Sequence, residues 1–352
     1  MSVAVFSMFF GAGNAIFPLI LGMQAKSQFI WAFFGLVFTA IGGPLLGLLG
    51  GTLFEGKCVT FFRQSGKIPG SILFTVTCAL LGPVAVLPRC VTVSYAAISP
   101  LFPTLSMSVF AFVFCLLALF FCWKRHFLLP ALGYLLSPAL IACLLLIIFQ
   151  GVTSSQPMEM SSMNDWEAFS LGFSTGYDTM DLIASIYFSS GIWALLSARF
   201  RNNPKTILKT TLTSAVLGCC ILAFIYFGLT AAAARFSSLL LDTAPEQIMT
   251  RLAALTLSPS FAIAANIAIA LACLTTVTSL VMTISEILSK EILSKLLSYR
   301  FMIILNLLIT TIMANVGFSI IMKVIHTALL VCYPIIILLT IYNIFYKLRQ
   351  RS

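Results

Sequence analysis

The chain has 352 residues, of which 60% are hydrophobic and only 9% charged. A soluble domain carries roughly 25% charged residues, so this sequence cannot cover a water-facing surface, and soluble enzymes and DNA-binding modules are excluded. Its net charge of +10 contains no run of five Lys or Arg, so it indicates basic loops on one side of a membrane rather than an arm for nucleic acid.

A spanning helix needs about 20 apolar residues. Cutting the chain at charge clusters, Gly/Pro and polar loops gives ten candidate spans: 2–24, 29–53, 70–97, 105–123, 127–149, 169–198, 207–232, 258–288, 300–320 and 324–346. The expected class is therefore an all-α polytopic membrane protein. It divides into a first half over 1–150, an extracytoplasmic loop over 151–168, and a second half with a basic tail over 169–352. The first span lacks a basic leader and carries Gly-Ala-Gly-Asn at its centre, so it reads as structure rather than as a signal peptide.

The loops after spans two, four, six and eight, with the tail, hold Lys57, Arg63, Lys67, Lys124, Arg125, Arg199, Arg201, Lys205, Lys209, Lys290, Lys295, Arg300, Lys347, Arg349 and Arg351. The alternate loops hold only Lys26, Arg235, Arg251 and Lys323, and Arg89 lies within a span. The bias places both termini in the cytoplasm. The loop after span five, with Glu159, Asp165 and Glu167 and no Lys or Arg, fits the outer side.

In chain order, span one is interrupted by Gly11-Ala12-Gly13-Asn14 and Pro18. Gly costs about 1 kcal/mol against Ala inside a helix, and Pro cannot donate the helical hydrogen bond. The glycine run of span two, with Gly43 and Gly47 as a GxxxG, suits close helix packing. Gly82-Pro83 and Pro88 kink span three. Arg89 lies there about 12 Å from its outer end at the helical rise. Span six is interrupted at Gly176-Tyr177-Asp178-Thr179-Met180-Asp181. Its Asp178 and Asp181 lie at about 14 and 18 Å, depths that overlap that of Arg89. An unpaired charge there costs several kcal/mol, so a buried ion pair of Arg89 with Asp181, or with Asp178, is expected; the alternative is an Arg89 that snorkels outward.

Glu286 near the inner end of span eight, four residues before Lys290, reads as an interfacial Glu, with a coupling role as the second reading. The ten cysteines, such as Cys115, Cys143, Cys273 and Cys332, form no CxxC pair and read as small buried hydrophobes. No transition-metal site is visible, and His126 and His326 fall near loops.

The breaks in spans one and six fall at matched places, five spans apart, so the two helices enter from opposite sides. Gly and Pro also serve as kinks in membrane helices, but two matched mid-depth breaks form the inverted-repeat layout of secondary transporters, whose unwound backbone lines a cavity.

The residues themselves resemble the bacterial branched-chain amino acid:cation symporter family. The likeness runs through Phe9-Phe-Gly-Ala-Gly-Asn-Ala-Ile-Phe-Pro18, Gly22-Met-Gln-Ala25, Leu81-Gly-Pro with Leu87-Pro-Arg89 and Thr92-Val-Ser94. It continues in Gly172-Phe, Gly176-Tyr and Thr179-Met-Asp181, then Ala272-Cys-Leu and Glu286. It implies the leucine-transporter-like fold of five plus five inverted helices, without the last two helices usual in the family. It also implies import of Leu, Ile and Val by symport with Na⁺ or H⁺ across a bacterial cytoplasmic (inner) membrane. No organic cofactor, nucleic acid or obligatory protein partner is expected beyond the lipid bilayer.

On that resemblance, the substrate site takes Phe9, Gly11, Ala12, Gly13 and Asn14 from span one and Gly176, Tyr177, Thr179 and Met180 from span six. The half-helix amides at Gly11–Gly13 would meet the carboxylate, and carbonyls of the second break the ammonium. Na⁺ would sit between spans one and eight, held by the carbonyls of Ser7, Phe10 and Ala272 and the hydroxyls of Thr275 and Thr276. That shell holds no titrating carboxylate, which favours Na⁺ over H⁺. The competing reading is that both hydroxyls bond a carbonyl one turn back. Other functions fit less well: a carrier of another small solute or a transport-inactive homologue keeps the fold, whereas an intramembrane enzyme lacks HExxH, GxSxG or paired His.

Overall fold

The computed structural model describes residues 2–123, 128–200, 203–289 and 298–350, and all regular structure there is helical. The expectations that rest on Lys124, Arg125, His126, Arg201, Lys290, Lys295 and Arg351 lie outside the described residues.

Each of the ten expected spans meets a helix or an interrupted pair of helices. The first is α1 (Ser2–Phe9) followed by α2 (Ala12–Ala25), and the second is α3 (Phe29–Ala40) followed by α4 (Gly42–Leu53). A short, largely buried helix α5 (Cys58–Phe62) leads to α6 (Lys67–Leu81) and α7 (Val86–Ile98), which are separated at Gly82-Pro83. Then come α8 (Met107–Trp123) and α9 (Leu128–Thr153). The second half holds α10 (Asp165–Asp178), α11 (Asp181–Arg199) and α12 (Pro204–Arg235). It continues through α13 (Ser237–Leu240) and α14 (Ile248–Thr256) to α15 (Pro259–Ile287), α16 (Tyr299–Ala314) and α17 (Phe318–Arg349).

Six of these helical segments are long and apolar enough to cross a membrane. Outward-facing Phe38, Phe149, Phe224, Leu338 and Phe345 are each more than 60% exposed, a surface suited to lipid and not to water.

Of the boundaries that differ from the sequence reading, three have a clear local reason. The sixth span starts at Asp165, not 169, because Asn164 and Glu167 cap each other's backbone N–H at 2.9 Å in a capping box. The ninth ends at Ala314, not 320, where Gly317 turns the chain with φ +94°. The tenth consequently begins at Phe318, not 324, which carries His326 into α17 and corrects its expected place near a loop.

The packing of the two broken helices follows one pattern. α1 and α2 lie along α12, while α10 and α11 lie along α3 and α4. The glycines of α4 serve the close packing expected of them, since a Cβ on Gly47 or Gly51 would strike the hydroxyl of Ser185 or Ser189 on α11. At one end of the helix bundle, the loop before α10 is pinned to the α2–α3 turn by Lys26–Glu159 at 2.7 Å and by Ser27 N–H to the Glu159 carbonyl at 3.1 Å. Attraction to Lys26 holds the exposed Glu159 carboxyl below its ordinary value.

Candidate functional site

The helix breaks meet at one narrow cavity, lined by both breaks together with α6, α7 and α15. The first break is a glycine break. In a continuous helix the Gly11 N–H would go to the Ser7 carbonyl, but here it goes to Asn14 Oδ1 at 3.3 Å. The first intrahelical bond of α2 runs from Ala15 N–H to the Gly11 carbonyl at 3.2 Å. The amides of Ala12, Gly13 and Asn14 therefore precede it at the positive end of the helix.

The second break turns on Met180, whose φ of +62° is left-handed, an uncommon state for a residue with a side chain. It ends α10 and starts α11 with Asp181 in the first turn, where a negative charge suits the helix N-terminus.

Asn14 ties the two breaks together. Its Nδ2 donates to Asp181 Oδ2 at 2.6 Å and also to the Tyr226 hydroxyl of α12, which in turn donates to Asp181 Oδ2 at 3.4 Å. Asn14 and Asp181 are 2% and 3% exposed, so each of these bonds satisfies a group that water cannot reach.

Of the residues assigned to substrate, Phe9, Gly11, Ala12, Gly13, Asn14 and Thr179 line the cavity, with Met8, Leu81, Val86, Ala184, Phe188 and Leu280 adding apolar wall. Gly176, Tyr177 and Met180 do not. Gly176 lies against Thr39 of α3, where a Cβ would collide with the hydroxyl. Tyr177 stacks on Tyr333 of α17 with ring centroids 4.6 Å apart, and Met180 is fully buried in the apolar core. A helix presents only one face to a ligand, and these three occupy the others.

Of the cation residues, Thr276 lines the cavity beside Gly11. The hydroxyls of Thr275 and Thr276 both donate to the Ala272 carbonyl, at 2.8 and 3.0 Å. This is the one-turn-back bond of the competing reading, and it also gathers three of the five assigned oxygens at one point. Ser7 lies in α1, and Phe10 is the residue between α1 and the Gly11 cap.

The expected ion pair takes another form. Arg89 is 2% exposed, so it does not snorkel. Its Nη1 donates to the backbone carbonyl of Asp178 at 2.8 Å, and the guanidinium lies over the Phe17 ring at 5.2 Å. Both carboxylates are near enough to act on it electrostatically, yet the ion pairs closer than 4.0 Å among the described residues do not include Arg89. The reason is that each carboxylate has other partners: Asp181 has Asn14 and Tyr226, and Asp178 has His326 Nδ1 at 3.0 Å. Sequence reasoning missed Tyr226 and His326, because an isolated Tyr or His in an apolar helix carries no periodic signal.

Two interrupted helices meeting at a buried cavity are the layout found in secondary transporters. The fold agrees with solved structures of that class. A Na⁺-coupled sialic acid symporter is similar over 98% of this chain and 78% of its own, with a TM-score of 0.61 and 11% identity. A nucleobase-cation-symport-1 family transporter is similar over 96% of this chain and 76% of its own, with a TM-score of 0.63 and 11% identity. These likenesses establish the leucine-transporter-like fold.

The family follows from sequence. The model of the branched-chain amino acid transport protein family matches residues 1–352. A branched-chain amino acid carrier protein of Staphylococcus saprophyticus is 31% identical over 95% of this chain and 78% of its own length. A carrier of the same description from Staphylococcus aureus is likewise 31% identical, over 95% and 78%. The chain belongs to the branched-chain amino acid transport protein family.

Proposed function

We propose that this protein imports leucine, isoleucine and valine across a bacterial cytoplasmic membrane by symport with Na⁺, with both termini in the cytoplasm. The observation that carries this reading is the cavity itself. It places the first residues of α2 beside the apolar side chains of Phe9, Leu81, Phe188 and Leu280, a polar end and an oily wall as an amino acid with a branched side chain requires. Thr276 at the edge of the first break supports a cation site there. An ion held by carbonyls and hydroxyls makes no use of proton exchange, which favours Na⁺ over H⁺.

The deciding measurement is uptake of labelled leucine into proteoliposomes under an imposed Na⁺ gradient, then under a pH gradient alone. Accumulation is expected under the first and not the second. Accumulation under the pH gradient alone transfers the coupling to protons, and none under either overturns the reading.

A further inference from the structure

Arg89 has more hydrogen-bonding capacity than the protein uses. A guanidinium carries five N–H donors in a planar fork. Among the described residues only Nη1 has an acceptor, the Asp178 carbonyl at the end of α10, and Nε is buried with no partner. A buried cation that leaves donors empty is costly unless a ligand fills them.

The group is also aimed at the site. It lines the cavity next to Gly13, where a Cβ would come within 2.5 Å of Nη2 and 3.0 Å of Cζ. No side chain other than glycine's leaves space for it. Asp181 lines the same cavity, where its Oδ2 accepts from Asn14 and Tyr226 and the Thr179 hydroxyl also lies against the carboxylate. A positive and a negative group thus share one buried cavity without closing a bridge between them.

We infer that Arg89 and Asp181 are the two poles of the substrate site: the guanidinium takes the carboxylate of the amino acid, and the Asp181 carboxylate takes its ammonium. The amides at the start of α2 lie beside Arg89 and add to the same anion pole. The fork of Arg89 suits a carboxylate bidentately, and an α-amino acid carries its carboxylate and its ammonium on one carbon. Asn14 and Tyr226 act as positioning residues for Asp181. This inference rests on the amino acid reading above.

The test is binding to the purified full chain, read as thermal stabilisation in detergent. The ligands are leucine, 3-methylbutylamine (leucine without its carboxylate) and 4-methylpentanoate (leucine without its ammonium). The wild type should bind leucine at least about tenfold more tightly than either analogue, since hydrogen bonds to charged groups are worth that much or more. Arg89→Gln should weaken leucine and leave 3-methylbutylamine unchanged, with Arg89→Lys intermediate. Asp181→Asn should weaken leucine and leave 4-methylpentanoate unchanged.

Equal weakening of leucine and 3-methylbutylamine in Arg89→Gln would make Arg89 a structural prop and overturn the assignment. If the variants do not fold, the wild-type series decides alone, and 3-methylbutylamine binding as tightly as leucine overturns it. Alanine, serine and phenylalanine with their matching amines and acids are run in parallel. Binding of one of these but not of Leu, Ile or Val sinks the branched-chain reading while that ligand's analogues test the poles. Binding of no amino acid sinks both.

Discussion

The two helix breaks do the same topological work with different chemistry. The first is made by glycine and leaves backbone bare: Gly11 and Gly13 border the cavity, and their missing side chains are what Thr276 and Arg89 occupy. The second contains no glycine at its turn. It bends at left-handed Met180 between two aspartates, while its glycines, Gly172 and Gly176, lie a turn or more away and are used up in packing on α3. The same residue type therefore signals a ligand in one break and a neighbouring helix in the other. Only what fills the space beside each glycine tells them apart.

That contrast predicts opposite behaviour on substitution. Gly172→Val should be the most damaging change, because the Ala32 carbonyl of α3 already occupies the place of a Cβ. A loss of more than about 3 kcal/mol is expected, beyond ordinary overpacking, and no cooperative melt should be seen in detergent. Gly11→Ala meets only the Thr276 methyl at 3.1 Å. It should melt close to wild type while uptake falls, and equal destabilisation by both changes would erase the distinction between the breaks.

Next in size is the tie between the breaks. Asn14→Leu removes the donor to Asp181 and Tyr226 and should cost about 3 kcal/mol, the upper end for stranding a buried polar group because Asp181 is a carboxylate. Tyr226→Phe, which leaves the Asn14–Asp181 bond intact, should cost about 1 kcal/mol. Both are measurable as shifts in melting temperature.

The ion reading separates two adjacent hydroxyls. Thr276→Ala should raise the Na⁺ concentration for half-maximal leucine uptake about tenfold, the loss of one oxygen ligand being worth about 1.4 kcal/mol. Thr275→Ala should raise it less, because Thr275 does not line the cavity. An unchanged Na⁺ requirement in the double variant would remove the pair from the site.

Smallest are the outer contacts. The Asp178–His326 pair has a half-exposed imidazole, so His326→Gln should change stability by less than about 1 kcal/mol. The depressed Glu159 carboxyl stabilises the fold above its unfolded value, near 4.5, and that contribution is lost as pH falls through its lower folded value. Below pH 4.5 the wild type and Lys26→Ala should therefore converge in melting temperature, with the wild type slightly ahead at neutral pH.

Most of the architecture was legible because a membrane enforces long apolar runs, and because Gly, Pro and Asp at mid-depth need a reason. Asn14 and Asp181 were legible for the same cause: polar groups there must be satisfied. Side-chain direction inside a break was not. Helical periodicity is lost where the helix unwinds, so Gly176, Tyr177 and Met180 could not be assigned to a face. Partners distant in sequence were equally hidden. Nothing in α12 distinguishes Tyr226 from a membrane tyrosine with an ordinary neighbour, and the Arg89 contact is to a backbone carbonyl, which every residue possesses.

The glycine face of α4 has a mechanical consequence. With Ser185 and Ser189 seated where Gly47 and Gly51 lack side chains, the two backbones are too close for either helix to slide without lifting the other. α4 and α11 are therefore expected to travel as one lever. α11 is severed from the helix before it at Thr179–Met180, whereas α4 is only bent from α3 at Ile41, whose N–H still bonds the Val37 carbonyl. Widening the cavity then turns a stiff two-helix bar about the existing joint at Met180 and the bend at Ile41. A disulfide engineered across the pair should leave transport running, whereas one from α11 to α15 should stop it.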